Sequence, residues 1–516
     1  MRIFKECYDD VIVVAMLCST LCWVWKKRSR RSVLPTNWPV VGMLPALLQN
    51  AGRIHHYATE LLRESGGTIE IKGLWFANMD MLVTCDPANV NHILCRNFEN
   101  YPKGPGFRKI FHVLGDGMIN VDSELWELHR KTTTPLMNQA NFRTSLERNV
   151  SQKIENGLFP VLDHYAQQGT HIDLQEIFHR ILFDISCQQF MDKDPGTLCV
   201  DPTGDHPFLK AIRDAVNAIL YRHILPEWCW KLQKWVVGID REKKLSEAWD
   251  TIDNFIYTIL SENQEHDKTG FISYRPSDSI YGFSSSDESN FSMLASLLKA
   301  YKGKSKRFLR DTLVSLTIAG GGGTSSAAIT WLFWLLAKNP RVEAKILDEI
   351  NMNHAKQNRV FKVEQCQNLV YLHAALCESL RLFPPVPMNH KLSLEKDVLP
   401  SGHKVNPNTR IITSFYSIGR MEAIWGKDCM EFKPERWISD TGGIKHASSY
   451  NFPIFNLGPR TCLGKEMFFL VAKTVAASII LNYHCQPLEP HSPVQYSDTL
   501  VLELKHGFKV KLNKRT

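Results

Sequence analysis

One cysteine in a glycine-rich turn constrains this chain more than any other feature. Residues 455–464 read Phe455-Asn-Leu-Gly458-Pro-Arg460-Thr-Cys462-Leu-Gly464 and run straight into Lys465-Glu-Met-Phe-Phe-Leu-Val-Ala-Lys473, whose apolar spacing predicts a buried helix. Unpaired backbone N–H groups and the helix dipole favour negative charge at such an N-terminus, so the Cys462 thiol is expected to be drawn toward the thiolate. Gly458 and Gly464 are expected to let the backbone pass close to something flat or take unusual dihedrals, and Arg460 sets a cation beside them. Haem iron held by a cysteine thiolate fits all three features. An ordinary buried cysteine after a Gly-Pro turn is the plainer alternative.

Composition removes other classes. The chain has 516 residues, 44% hydrophobic and 22% charged, which is a globular composition with ample sequence for a large core and no visible repeat. Its 13 cysteines are scattered, with no C-x-x-C pair and no zinc-like spacing, as expected of reduced thiols in the cytosol. The net charge of +8 is concentrated: Lys26, Lys27, Arg28, Arg30 and Arg31 supply five of those charges. The balance left on the rest is small, so nucleic-acid binding is set aside.

Those five cations follow a continuous apolar run over 11–25, itself preceded by Asp9 and Asp10. A cleavable signal would carry its basic residues before the run, not after it. The segment therefore reads as a membrane anchor with the remainder of the chain on the cytosolic side, or as a hydrophobic helix packed on the body. Residues 1–31 form the anchor and its basic flank. Pro35, Gly42, Pro39 and Pro45 make 32–50 a stiff hinge rather than a helix, and 51–516 is the folded body. Runs at 68–72 and 79–85 predict a small N-terminal sheet.

Trp126 and Arg130 are four apart, so on a helix they share one face; alone, they make a surface cation–π pair, and His129 between them partners nearby polar groups. Residues 140–265 are helical and aromatic-rich, readable as core or as a lid over a pocket. Residues 268–306 read as a polar loop holding one short helix. A single long helix is predicted over 308–338, capped by Ser305 and stopped by Asn339-Pro340. Its middle is Gly320-Gly321-Gly322-Gly323-Thr324, and at about 0.8–1 kcal/mol per glycine relative to alanine the run is expected to serve close approach or a bend. Glu378 and Arg381 are spaced as an i,i+3 ion pair. Residues 496–512 alternate like a C-terminal hairpin with 499–501 near its tip.

The pattern F-x-x-G-x-R-x-C-x-G at 455–464 is complete, and it resembles the haem-binding loop of the cytochrome P-450 family. The W-x-x-x-R pair, the glycine-rich helix, E-x-x-R with P-E-R-W at 434–437, and the cysteine loop then occur in that family's order. The resemblance implies a mainly α fold with small β-sheets, the cytochrome P-450 fold, behind an N-terminal membrane anchor helix. It implies haem b with Cys462 as the iron ligand, the loop residues Phe455, Gly458, Arg460 and Gly464 around it, and Trp126, Arg130 and His390 approaching the propionates. Thr324 takes the place of the oxygen-binding threonine, and Gly323 takes the place of the acid beside it. Glu378, Arg381 and Arg436 match a buried structural triad. The substrate pocket is expected from Phe107, Phe111, Gly320, Val386, Met388 and Leu500, and Phe468 stands where the family generally carries alanine.

In detail the wording is most similar to the plant fatty-acid and alkane hydroxylase clan, its family ninety-six in particular, which also holds phenol-coupling oxidases of amaryllis alkaloids. Because Gly323 removes the proton-relaying acid, and a phenol brings its own proton, intramolecular phenol coupling of a norbelladine-type precursor is the first expectation. Hydroxylation of long-chain alkanes or fatty acids is the second, and a haem-binding sensor the third. The implied partners are NADPH–cytochrome P-450 reductase, a small apolar or phenolic substrate and the endoplasmic reticulum membrane, with a single pass and the catalytic domain cytosolic.

Overall fold

A computed structural model describes residues 34–75, 79–200, 206–224, 227–232, 241–268, 291–321, 323–354, 358–445, 447–489, 494–497 and 500–515. The anchor expected over 1–31 lies outside them. Among the described residues no helix is long and apolar enough to cross a membrane.

The two N-terminal apolar runs form β1 (Thr68–Ile71) and β2 (Met81–Thr84). They join strands from much later in the chain, β4 (Met388–Leu392) and β5 (Arg410–Ser414), in a four-stranded sheet ordered β1-β2-β5-β4. Register puts Ile69, Val83, Ile412 and His390 in one row across the sheet, and Ile71, Met81, Arg410 and Leu392 in the next. Cross-strand partners share a face, so both rows face the same way. Leu82 and Ile411, on the opposite face, belong with Leu61, Leu62 and Val90 to a second, smaller core.

The larger core is helical. Helix α1 (Ser123–Met137) carries Trp126 and Arg130. Helix α2 (Leu174–Met191) is buried along nearly its whole length against the helices that follow from the glycine-rich segment. Those are two helices and not one: α3 (Lys306–Gly321) and α4 (Thr324–Lys338), with Gly323 between them at φ +121°. The expectation of a continuous helix over 308–338 is thereby corrected. A helix does not survive four poor helix formers at its centre when one adopts a dihedral that L side chains avoid. The glycines before the break serve close approach. A Cβ on Gly321 would lie 2.9 Å from the Leu182 carbonyl, and one on Gly320 2.9 Å from the Ser186 hydroxyl. Ser305 caps as expected, its hydroxyl accepting from the Phe308 N–H at 3.2 Å.

Two further expectations change. Residues 44–49 of the hinge are a short helix, Leu44–Gln49, because Pro45 falls in its first turn, where a missing N–H costs nothing. The hairpin begins as expected, with Tyr496 bridged to Leu504, but it closes at Lys505. Residues 509–514 instead form β7 (Lys509–Lys514), which lies between β3 (His171–Asp173) and β6 (Tyr483–Pro487). The helix after the cysteine, α5 (Lys465–Asn482), is as buried as its sequence predicts. Within 268–306 the short helix is Met293–Ala300.

Candidate functional site

A cavity of ≈ 1130 Å³ lies between the first sheet, the break in the central helices and the cysteine loop. The loop is closed by the Cys462 N–H, which donates to the Phe455 carbonyl at 2.8 Å. Gly458 meets its expectation: it sits at φ +61°, and a Cβ there would come within 2.4 Å of the Leu94 carbonyl. Gly464 does not. Its φ is an ordinary −82°, and the nearest atom to a Cβ would be Cys462 Sγ at 3.9 Å, so its contribution is to line the cavity. Phe455 and Phe468 also line it, their rings 5.8 Å apart.

The Cys462 thiol is reachable from the cavity yet deep in the protein. Burial pushes its pKa up, and this outweighs the Gly464 and Lys465 N–H groups and the Arg130 charge, which pull it down. The expected drift toward thiolate is thus reversed in the protein alone. A coordinated metal would override the cost, since it deprotonates a ligating thiol outright.

Beside the cysteine is a cluster of cations. Arg130 donates to the Thr461 carbonyl at 2.8 Å, and Arg460 donates to Asp122 at 2.6 Å and to the Val121 carbonyl at 2.8 Å while stacking 4.7 Å over the Trp126 ring. Arg460 Nε and Lys391 Nζ are buried with no hydrogen-bond partner among the described residues. Burial, with Arg460 as neighbour, pushes Lys391 down to about 7, and burial pushes Arg460 down to about 10. Arg460 is paired with Asp122 yet keeps Nε unpartnered among the described residues, and together with Arg130 on the cavity wall it fits an anionic group. The two carboxylates of haem b, beside a cysteine able to ligate its iron, are such groups.

Lys391 closes the stretch 386–391 expected to line the pocket, but it is not part of the lining: it sits beside His390 on a strand, where neighbours face opposite ways. His390, singled out for the propionates, faces the cavity, with its ring 5.7 Å from Phe107 and 6.0 Å from His223. Its Nδ1 has no partner among the described residues. Burial pushes His390 well below the usual histidine range, and pushes His223 to about 4.

The expected pocket residues Phe107, Phe111, Gly320, Val386, Met388 and Leu500 all line this cavity, and Phe107 stacks on Phe111 at 4.2 Å. Thr499 lies outside the described residues. Thr324 lines it too, its hydroxyl donating to the Ala319 carbonyl at 3.2 Å across the helix break. Gly323 is behind Thr324 and is not part of the lining. A carboxylate cannot be returned there without strain, because φ +121° disfavours any L side chain.

The wall made by the first sheet is largely apolar, with the polar residues Asn389 and His390 on the strand Met388–Leu392. Ile69, Ile71, Met81, Val83 and Ile412 share it with Arg410, a residue that sequence reasoning passed over because an arginine in a short strand ordinarily reads as surface. Arg410 makes no hydrogen bond or ion pair among the described residues, and burial lowers its pKa. Away from the cavity, Glu378, Arg381 and Arg436 meet as expected. Arg381 donates to Glu378 through two bonds of 2.7 Å, Arg436 Nε donates at 3.3 Å, and Trp437 Nε1 adds a fourth bond at 2.8 Å. His129 is a buried partner of the Asp116 carbonyl and the Tyr301 hydroxyl, as expected.

Residues 33–512 match the family model described as Cytochrome P450. The chain is 41% identical over 505 residues to the alkane hydroxylase MAH1 of Arabidopsis thaliana, covering 97% of each chain. It is 38% identical over 524 residues to a noroxomaritidine synthase of Narcissus aff. pseudonarcissus MK-2014, covering 99% of this chain and 98% of that one. It is 36% identical over 494 residues to Cytochrome P450 86B1 of Arabidopsis thaliana, covering 93% and 85%. Similarity that runs nearly end to end, on a chain whose Arg130 and Arg460 fit an anionic group beside a lone cavity cysteine, makes this chain a member of the cytochrome P450 family, a haem-dependent oxidoreductase supplied with electrons by a redox partner, ordinarily NADPH through a reductase.

Proposed function

We propose that this chain hydroxylates a long aliphatic substrate with an acidic end, and that Arg410 receives that end. The observation that carries the reading is the sheet wall: mostly apolar side chains suited to a hydrocarbon chain, among which one guanidinium, that of Arg410, has no partner among the described residues. A carboxylate there gains charge-assisted hydrogen bonds from Arg410, and the alkyl chain gains about 0.8 kcal/mol per CH₂ removed from water.

In this reading Cys462 ligates the iron, and Arg130, Arg460 and Trp126, which line the cavity beside it, hold the haem carboxylates. Bound haem supplies oxygen activation and C–H oxidation. Thr324 offers a hydroxyl on the cavity side of the helix break, and Phe107, Phe111 and Leu500 exclude water and orient the chain. NADPH–cytochrome P-450 reductase is the proposed electron donor. Attachment to the endoplasmic reticulum membrane is supported by the apolar run at 11–25 and by exposed Val40 and Trp75, whose backbones are joined by a 3.1 Å hydrogen bond. Leu48, exposed and also lining the cavity, suits entry of an apolar chain from lipid.

Phenol coupling is the second reading, favoured by Gly323 and by the similarity to noroxomaritidine synthase. Its norbelladine-type substrate carries a protonated amine, which Arg410 would repel. Optical binding titrations of the haem-loaded protein separate the two. A long-chain fatty acid is expected to bind more tightly than a norbelladine-type amine, and Arg410→Gln is expected to weaken the acid by roughly ten- to a hundredfold while leaving an alkane of equal length unchanged. Fatty-acid binding indifferent to Arg410→Gln would contradict the reading.

A further inference from the structure

The family's proton-relaying acid is missing at position 323, but a carboxylate is not missing from that place. Glu503, from the C-terminal hairpin, puts Oε1 3.1 Å from where a Cβ on Gly323 would stand. Its partner is His179 of α2, with Nε2 3.3 Å from the same Oε1. The other ring nitrogen, Nδ1, lies 3.0 Å from the Ser326 hydroxyl, which in turn donates to the Gly323 carbonyl at 2.8 Å. Three elements remote in sequence thus converge on the helix break. Ser326 and His179 are buried, and the Glu503 side chain keeps 16% exposure, a route to solvent.

We infer that Glu503, held by His179 and Ser326, supplies protons to the oxygen side of the cavity in place of the absent acid. Gly323 carries no side chain to stand between this carboxyl and Thr324. No covalent bond changes: a proton leaves the Glu503 carboxyl toward the cavity, where the reduction of dioxygen consumes it, and solvent water returns one to Glu503. The glycine and the glutamate then make one device. A side chain at 323 would press on Glu503 Oε1, and a glycine there leaves Glu503 its place. The inference rests on the family's oxygen chemistry and not on the choice of substrate.

The test uses the haem-loaded full chain in membranes with a plant reductase. Glu503→Gln is expected to keep the thiolate-type carbon monoxide spectrum but to shift the C–O stretching band of that complex, a readout independent of turnover. With whichever substrate the wild type converts, product formed per NADPH is expected to fall about a hundredfold, with hydrogen peroxide rising in its place, as for loss of a general acid. Glu503→Asp should retain a larger share. An unmoved C–O band with unchanged product and peroxide yields in Glu503→Gln overturns the inference. Should Glu503→Gln fail to bind haem, Ser326→Ala carries the test: a shifted band and increased peroxide support the relay, and wild-type behaviour in both overturns it. Since peroxide per NADPH is read for either substrate class, failure here is distinct from failure of the fatty-acid reading.

Discussion

Opposing forces meet at the Cys462 thiol. Burial favours the neutral form, while two backbone N–H groups and Arg130 favour the anion and fall short. The metal therefore has to complete the ionisation, and without a sulfur ligand it has no thiolate. Cys462→Ser is expected to abolish the thiolate-type carbon monoxide spectrum altogether, and a persisting spectrum would refute the assignment. At this scale the sequence was most legible where a motif packs its meaning into ten residues: Phe455, Gly458, Arg460 and Cys462 all occupy the positions their spacing implied. It was least legible where a residue acquires meaning only from distant neighbours. Arg410 gains its role from the apolar side chains across two strands, and Glu503 from a glycine 180 positions earlier in the numbering.

Among the elements, the central helices show what propensity can and cannot foretell. Four consecutive glycines announced close approach or a bend; which glycine would serve which purpose depended on α2, whose Leu182 carbonyl crowds Gly321, and on the positive φ of Gly323. The hairpin was read correctly at Tyr496, but its alternation beyond Lys505 belonged to another sheet, because a period of two does not say which strand is the partner. The far end of α2 carries a prediction of its own. Asp192 ends this helix in the left-handed region at φ 54°, and burial raises its carboxyl to about 6 while the Ser292 hydroxyl partly offsets it. Below about pH 4 the group is protonated whether folded or not and adds nothing. As pH rises toward 6 the folded chain holds a proton that the unfolded chain releases, so stability falls through that window and the loss is complete above it. Asp192→Asn, which tolerates the same backbone and keeps an acceptor for Ser292, should raise stability at neutral pH by on the order of 2–3 kcal/mol and do little near pH 4. Thermal midpoints at the two pH values check this, and an equal shift at both would show that charge is not the cause.

In the whole molecule, the site is an assembly of walls rather than a motif. A sheet pairing residue 81 with residue 410, a helix break and a cysteine loop enclose one cavity, and two features of that enclosure reorder the functional expectations. Glu503 refills the acid position whose vacancy had favoured phenol coupling, and Arg410 gives the apolar wall an anion-binding point that a protonated amine does not suit. The account therefore predicts oxygen insertion into an aliphatic acid. The most direct measurement is mass spectrometry of products from membranes containing the full chain, a plant reductase and NADPH, offered a long-chain fatty acid and, separately, a norbelladine-type phenolic amine. One oxygen gained by the fatty acid, with the amine untouched, is the predicted result. A phenolic product lighter by two hydrogens with no oxygen gained, and an unchanged fatty acid, would contradict it.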